Sequence, residues 1–396
     1  MTAPVKQHLI DPEICIRCYT CEATCPIEAI EHDDNNVVVD YSKCNFCMEC
    51  IPVCPTGSID EWRVVTTPYT LEDQFGWDEL PAQAEFSDTA SEADTSIEAL
   101  DEAMAALLAE AHKGAGGKAK APASASKPSI NLYTLGKPVT ATVQGNYRLT
   151  DDPAHDVRHV ILDFGSQPMP VLEGQSIGII APGTDKNGKP HLPRLYSVSS
   201  PRDGERSNFN NLSLTVKREE NGVCSNFVCD LKKGDTVQVT GPFGATFLLP
   251  NDPEAKLLMI CTGTGSAPFR AFTMRRQRSG STAGGMTLFF GARTAKSLPY
   301  FGPLNKVPDH ILKKHLVFSR AEGQPRTYVQ DAMMQEQDAI AELLGDPATH
   351  VYVCGLKAME IGVEEALANI AEATGQQWIA LRDAMRSEGR YHVETY

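Results

Sequence analysis

Eight of the twelve cysteines fall between residues 15 and 54, in two copies of one pattern. CIRCYTCEATCP supplies Cys15, Cys18, Cys21, Cys25 and Pro26, and CNFCMECIPVCP supplies Cys44, Cys47, Cys50, Cys54 and Pro55. Both read C-x2-C-x2-C-x3-C-P. Two-residue gaps let one tight turn aim three thiolates at different corners of an iron–sulfur cubane, and the fourth cysteine of each run ligates the other cluster. The spacing therefore assigns Cys15, Cys18, Cys21 and Cys54 to one [4Fe–4S] centre. Cys44, Cys47, Cys50 and Cys25 form the second set. Zinc usually takes two separated C-x2-C pairs, so the same spacing argues against it. A disulfide framework fits no better, because MTAPVKQHLIDPE has no basic segment followed by an apolar one. Close cysteines without an export signal point to metal in a reducing compartment, and the expected location is cytoplasmic.

Three further stretches carry groups suited to phosphate. RLYSVSS offers Arg194 to neutralise an anion and Tyr196 to stack on a flat ring. GVCSNFVCD places Gly222, Ser225 and Asn226 where a helix could open toward an anion. CTGTGSAPFRAF follows the apolar run KLLMI, so a strand feeds a glycine turn and then a helix. Gly263 and Gly265 allow the backbone to approach a pyrophosphate there. FSRAEGQPRTYVQ supplies Ser319, Arg320, Arg326 and Tyr328, the cations and hydroxyls that a 2′-phosphate needs.

These groups must be held by more than one domain, and 396 residues suffice for two to four. Residues 1–65 hold the cysteine cluster. Residues 66–130 are rich in Ala, Ser and acids, with twelve acids against four lysines, and read as a linker. Within it Ser96–His112 could form a short helix with Ile97, Leu100, Met104, Leu107 and Leu108 on one face. Residues 131–250 show short β-rich segments punctuated by Gly, Pro and Asn, the texture of an antiparallel barrel or sandwich. Residues 251–396 alternate apolar runs with helical stretches, the texture of a parallel α/β sheet. The expected fold is thus multidomain: an α+β cysteine domain, an antiparallel β-barrel and an α/β domain. The net charge of −15 argues against nucleic acid as a partner. No apolar run approaches the ~20 residues that span a membrane. Oligomeric state is open.

Residues 9–62 resemble the bacterial two-cluster ferredoxins. Residues 135–396 resemble the plant-type ferredoxin–NADP+ reductase superfamily. That resemblance implies FAD held by Arg194, Tyr196 and Ser197 of an RxYS motif. It implies pyrophosphate contacts from Gly222, Val223, Cys224 and Ser225 of GxCS, with Val216 and Lys217 lining the flavin's nucleotide end. Gly263, Thr264, Gly265 and Pro268 match the pyridine-nucleotide loop GTGxxP. Ser319, Arg320, Arg326 and Tyr328 match the element that binds the 2′-phosphate and adenine, which implies NADPH. Tyr396 takes the place of the aromatic that covers the flavin, and Glu394, Ser197 and Cys354 surround the hydride path. One departure stands out: only Glu219, Glu220 and Asn221 separate Arg218 from Gly222, where the family carries a longer loop with an adenine-stacking aromatic. The domain order resembles that of the reductase components of bacterial benzoyl-CoA 2,3-epoxidases. It implies a separate di-iron oxygenase as electron acceptor. A reductase fusion serving another acceptor, an electron carrier with an inactive flavin module and, third, a zinc-containing regulatory module are the alternatives.

Overall fold

A computed structural model describes residues 5–47, 49–51, 53–54, 56, 58–59, 61–82, 120–185, 188–207, 209–280, 282–300, 304–323 and 325–396. The helix expected over Ser96–His112 lies outside them. The chain divides into two compact units. One is Met1–Ala93 with Asp163–Pro170 and Arg202–Asn211, and the other holds the rest.

In the cysteine unit, β1 (Val5–Leu9) pairs antiparallel with β4 (Glu61–Val65), and β2 (Ile30–His32) with β3 (Val37–Val39). A five-residue helix, α1 (Thr20–Thr24), follows the first ligand loop. Arg17 and Phe46 sit two residues after Cys15 and Cys44 and both adopt left-handed backbone, at φ 52° and 60°. That conformation costs a non-glycine residue about 1–2 kcal/mol. It turns the backbone sharply between the first two thiols of each run. Cys21 and Cys50 are buried with Ile10, Ile30, Val37, Val39 and Ile59 in one small core.

The packed part of this unit runs past residue 65. Thr70 and Asp73 form a reciprocal cap on α2 (Leu71–Phe75). Buried Gln74 pairs its amide with the Val39 backbone, donating to O at 3.0 Å and accepting from N at 3.2 Å. Asn36 Nδ2 donates to the Trp77 carbonyl at 2.7 Å, and Gln7 exchanges two hydrogen bonds with the Tyr69 backbone. Residues 66–82, expected as linker, therefore dock on the cysteine unit. Their composition resembles a tether because the docking uses amides and caps, not apolar surface.

The second unit carries two sheets. The first is antiparallel, made of β5 (Val139–Arg148), β6 (Val157–Asp163), β7 (Ser176–Ile180), β8 (Arg194–Ser197), β9 (Asn211–Lys217) and β10 (Thr236–Phe243). Its order is β8-β7-β10-β5-β6-β9. Strict alternation along β5 buries Val139, Ala141 and Val143 on one face. The expected closed barrel is corrected here, because β8 and β9 share no ladder. They meet through one bridge, Val198 to Leu214. Ser199 N still donates to Ser213 O at 2.8 Å, but Ser213 N is taken by the Ser200 side-chain oxygen at 3.0 Å. A hydroxyl in the place of a carbonyl ends the ladder.

The second sheet is parallel, ordered β13-β12-β11-β14-β15. It comprises β11 (Lys256–Thr262), β12 (Met286–Ala292), β13 (Leu312–Phe318), β14 (Thr349–Gly355) and β15 (Tyr391–Thr395). Leu257, Met259 and Cys261 pack on one face with Phe269, Phe272 and Phe290. Leu258 and Ile260 pack on the other with Val363, Leu367 and Ile370. Both faces are buried, which is why the strands read as unbroken apolar runs. Four helices matter below: α3 (Val223–Asp230) after β9, α4 (Ser266–Ser279) after β11, α5 (Val329–Gln335) after β13, and α7 (Lys357–Ala373) after β14. The last is preceded by α6 (Gln337–Gly345) and followed by α8 (Trp378–Ser387). No helix among the described residues is long and apolar enough to cross a membrane.

Candidate functional site

In an open parallel sheet, ligands bind beyond the carboxyl ends of the strands where the strand order reverses. That point lies between β11 and β14. β11 ends in Thr262 and feeds the single turn Gly263–Gly265, after which α4 begins. Gly263 takes φ 55°, and a Cβ built on Gly265 would collide with the Cys354 carbonyl oxygen at the end of β14. The glycines are thus required by the strand crossing itself. Ser266 Oγ donates to the Gly263 carbonyl at 2.9 Å and tightens the turn. Pro268 falls in the first helical turn, where its missing N–H costs nothing. No side chain caps the start of α4, and the N-terminus of a helix is a setting that suits an anion.

The edge strand β15 brings Glu394 beside Cys354, which in turn lies beside Cys261. Glu394 is buried. Its Oε1 accepts from Ser176 Oγ at 3.4 Å, and its Oε2 has no partner among the described residues. Burial pushes its carboxyl up to about 7, against a smaller opposing pull from the Ser176 hydroxyl. Ser176 Oγ also lies 3.5 Å from Ser197 Oγ, since Ser176 and Ser197 are opposite one another in the β7–β8 ladder. Ser176 has one proton to give, so the row Glu394–Ser176–Ser197 can run in either direction. Tyr396 shares a 2.6 Å hydrogen bond with Thr264 across the Oη and Oγ1 atoms. Its backbone is fixed by Tyr396 N to Gly355 O at 3.0 Å and by Lys357 N to Tyr396 O at 3.4 Å. The residue as a whole is 56 % exposed, and burial of its phenol raises that group well above its usual range. Ser197, Cys354, Glu394 and Tyr396 are therefore brought to one end of the second unit.

Arg194 and Tyr196 lie on β8, opposite Ile179 and Ile177 of β7. α3 starts against this pair: Cys224 Sγ contacts the Ile179 carbonyl at 3.5 Å and hydrogen bonds the Tyr196 hydroxyl. Burial, then Cys224, raises the Tyr196 phenol far above its usual range, so it stays neutral. Ser225 Oγ accepts from Glu219 N at 3.1 Å and donates to the Gly222 carbonyl at 3.3 Å. Its hydroxyl thus builds the short turn between β9 and α3, and the groups it leaves for a ligand are backbone N–H. Arg218 anchors the same turn, donating to Asp156 Oδ2 at 2.9 Å, Asn226 Oδ1 at 2.9 Å and Asp230 Oδ1 at 2.7 Å. Val216 is fully buried within the sheet, and Lys217 is exposed and paired with Glu219 at 2.6 Å. Arg194, Tyr196, Gly222, Val223, Cys224 and Ser225 come together; Val216 can take part only through its backbone.

Ser319 and Arg320 follow β13, tied by Ser319 N to Ala292 O at 3.0 Å and Arg320 N to Arg293 O at 2.8 Å. Arg320, Arg326 and Tyr328 are exposed, and Tyr328 opens α5 with its N–H on Asp331 Oδ2 at 2.7 Å. All four lie in the segment that connects β13 to α5. Sequence reading missed Ser176 and Arg270. Arg270 on α4 donates to the Ser199 carbonyl at 2.7 Å and so ties the parallel sheet to the strand end after RLYS. Ser176 belongs to no motif, and only the ladder register finds it.

In the cysteine unit, Cys25, Cys44, Cys47 and Cys50 line one cavity together with His8, Ile30 and Val39. These are the four thiols that the spacing groups as the second set. Burial pushes Cys21 up to about 11, with Cys54, Cys15 and Cys18 as the charged neighbours that raise it further. That is the first set. Among the described residues no three His, Cys, Asp or Glu side chains converge as a single ion requires. Buried thiols become ligands only when a bound cation stabilises the thiolate.

Comparison with known proteins agrees with this geometry. A 4Fe-4S dicluster domain matches residues 7–55, an oxidoreductase FAD-binding domain 152–247 and an oxidoreductase NAD-binding domain 259–365. The cyanelle ferredoxin–NADP reductase of Cyanophora paradoxa is 38% identical over 291 residues, covering 67% of this chain and 79% of that protein. This chain belongs to the ferredoxin–NADP reductase family. The ferredoxin–NADP reductase of Synechocystis sp. is likewise 38% identical, over 288 residues, 67% of this chain and 70% of its own. Among solved structures, the ferredoxin–NADP+ reductase from Plasmodium falciparum superposes with a TM-score of 0.53 at 28% identity, covering 67% of this chain and 99% of its own. The chain is an NADP-dependent oxidoreductase with FAD-binding, NADP-binding and 4Fe-4S dicluster domains.

Proposed function

We propose that this chain takes electrons from NADPH and delivers them, through FAD and two [4Fe–4S] clusters, to a separate protein acceptor. The observation that carries the reading is the convergence of Tyr396, Glu394, Cys354 and Ser197 at the reversal point of the parallel sheet, on a chain that also carries eight cluster cysteines. When bound, FAD supplies the exchange between the two-electron hydride of NADPH and the single electrons that clusters accept. Arg194, Tyr196 and Ser197 would hold FAD, Arg194 neutralising an anion and Tyr196 stacking on the flat ring, and Gly222, Val223, Cys224 and Ser225 would receive its pyrophosphate. Val216 and Lys217 border its nucleotide end. Gly263, Thr264, Gly265 and Pro268 cradle the NADPH pyrophosphate, and Ser319, Arg320, Arg326 and Tyr328 take its 2′-phosphate and adenine. Tyr396 would cover the flavin where the nicotinamide must dock, next to the Thr264 hydroxyl that it bonds. Cys15, Cys18, Cys21 and Cys54 hold one cluster, and Cys44, Cys47, Cys50 and Cys25 the other.

The domain division that suits this is 1–65, 66–130, 131–250 and 251–396, with 66–82 packed on the first part. We infer a cytoplasmic enzyme whose acceptor is a di-iron oxygenase, of the kind that epoxidises benzoyl-CoA in aerobic benzoate degradation. Support for that acceptor is the order of the domains. Anaerobically purified protein is expected to contain about eight irons, and NADPH is expected to bleach both flavin and cluster absorbance far faster than NADH. Bleaching of the flavin alone would refute the relay. Oxygen-dependent conversion of benzoyl-CoA with a candidate oxygenase tests the finer reading; turnover with a different oxygenase class and none with this one would replace it.

A further inference from the structure

The two ligand loops have the same spacing and a left-handed residue at the same position, yet three of their matching side chains differ. Around the first, Glu13, Ile14 and residues 16–20 are all exposed. Ile14 is 46% exposed, Ile16 62% and Tyr19 39%. Cys18 between them is the one cluster-ligand cysteine classed as exposed. Around the second loop the matching positions are Lys43 for Ile14, Asn45 for Ile16 and Phe46 for Arg17. Phe46 turns inward, 5.8 Å from the Trp62 ring and 6.3 Å from Tyr41.

The backbone of a ligand loop therefore does not need apolar side chains at these positions, because Lys43 and Asn45 serve equally well. Ile14 and Ile16 are exposed for another reason. Tyr19 is fixed in place by left-handed backbone at φ 56° and by its ring resting on His32, 4.2 Å away, while His32 Nδ1 is held by Glu22 at 2.7 Å. A rigid aromatic with two neighbouring isoleucines in water is the composition of an interface centre. Glu13 and Glu22 flank these residues in sequence, and Arg17 among them donates to the Asp34 carbonyl at 3.1 Å. The chain as a whole carries −15.

We propose that electrons leave the chain through the Ile14–Ile16–Tyr19 face beside Cys18, and that this face receives a redox protein presenting an apolar patch inside a basic rim. The cluster held by Cys15, Cys18, Cys21 and Cys54 is then the exit cluster, and the Cys25, Cys44, Cys47 and Cys50 cluster the inner one. This rests on the relay proposed above. One electron passes from the reduced exit cluster to the acceptor, so cluster oxidation balances acceptor reduction.

The test uses the full chain and cytochrome c, a basic protein with an exposed haem edge, as probe. Clusters are reduced with dithionite, excess reductant is removed, and reoxidation of the cluster absorbance by cytochrome c is followed by stopped flow. Ile14→Ser with Ile16→Ser is expected to slow reoxidation about tenfold, and added salt to slow the unmodified chain further. Lys43→Ser in the second loop is expected to change it less than about twofold. Bleaching of the clusters by NADPH is expected to be equal in all three proteins. Equal reoxidation in the isoleucine variant and the unmodified chain would overturn the assignment. So would an isoleucine variant slowed in NADPH bleaching alone, because the face would then serve electron entry. Failure of NADPH to bleach the unmodified clusters would instead sink the relay and leave the exit face to be judged on dithionite-reduced protein.

Discussion

Glu394 is the residue whose protonation the site depends on most directly. Its folded carboxyl sits near 7 because it is buried, against 4.5 for the free group. Between those values the folded chain keeps a proton that the unfolded chain has lost. Stability is therefore highest below the unfolded value, falls as pH rises toward about 7, and then levels off. The whole effect is roughly 3 kcal/mol. Glu394→Gln keeps the hydrogen bond from Ser176 and removes the charge. We expect its thermal midpoint to vary less than the parent's between about pH 5 and pH 8, as read by calorimetry. The NADPH–ferricyanide rate should also lose any inflection near neutrality. A variant whose rate profile retains that inflection would show that another group sets it. Ser176 matters for the same reason, since it is the hydroxyl that connects Glu394 to Ser197.

At the scale of elements, the decisive junction is the crossing of the β11–α4 turn over the end of β14. Gly265→Ala places a methyl against the Cys354 carbonyl, which is backbone and cannot rotate away. We expect a loss of about 1–3 kcal/mol in stability and a rise of at least about tenfold in the NADPH KM. An alanine variant with parental KM would show that the turn tolerates displacement. This junction was legible in the sequence, because a strand, a glycine turn and a helix leave a local signature. The cysteine sets were legible for the same reason: ligand spacing is a local property. RLYS and GVCS, by contrast, were legible only as a pair and only by resemblance, and Ser176 not at all. Its function comes from ladder register with Ser197 and from a strand 218 residues away. Long-range pairing leaves no mark on neighbouring residues. The docking of 66–82 was hidden likewise, since Asn36, Gln7 and Gln74 do it with side-chain amides, which look in sequence like those of any polar tether. The barrel expectation failed at a detail no composition reveals, the Ser200 hydroxyl that takes the Ser213 N–H.

For the molecule as a whole, the two compact units should melt separately. The cysteine unit is small, and its core includes the buried Cys21 and Cys50. Burial raises both thiols, Cys21 to about 11 and Cys50 further still. Ligation must replace those protons with iron, and the binding energy then becomes folding energy. Acid or chelator treatment that strips iron is therefore expected to abolish the lower-temperature transition in a calorimetric scan and leave the flavin unit's transition within a few degrees. Loss of both transitions together would show that the units fold as one.

The span between Ser176 and Glu394 also sets an order of events in the cell. A nascent chain exposes its cysteine region early, and N-terminal domains fold while the rest is still being made. The clusters can be assembled on such a chain long before residues 391–396 exist to complete the parallel sheet's edge and seat Tyr396 on Thr264. A half-made chain thus has its cysteine region before it has Glu394 and Tyr396.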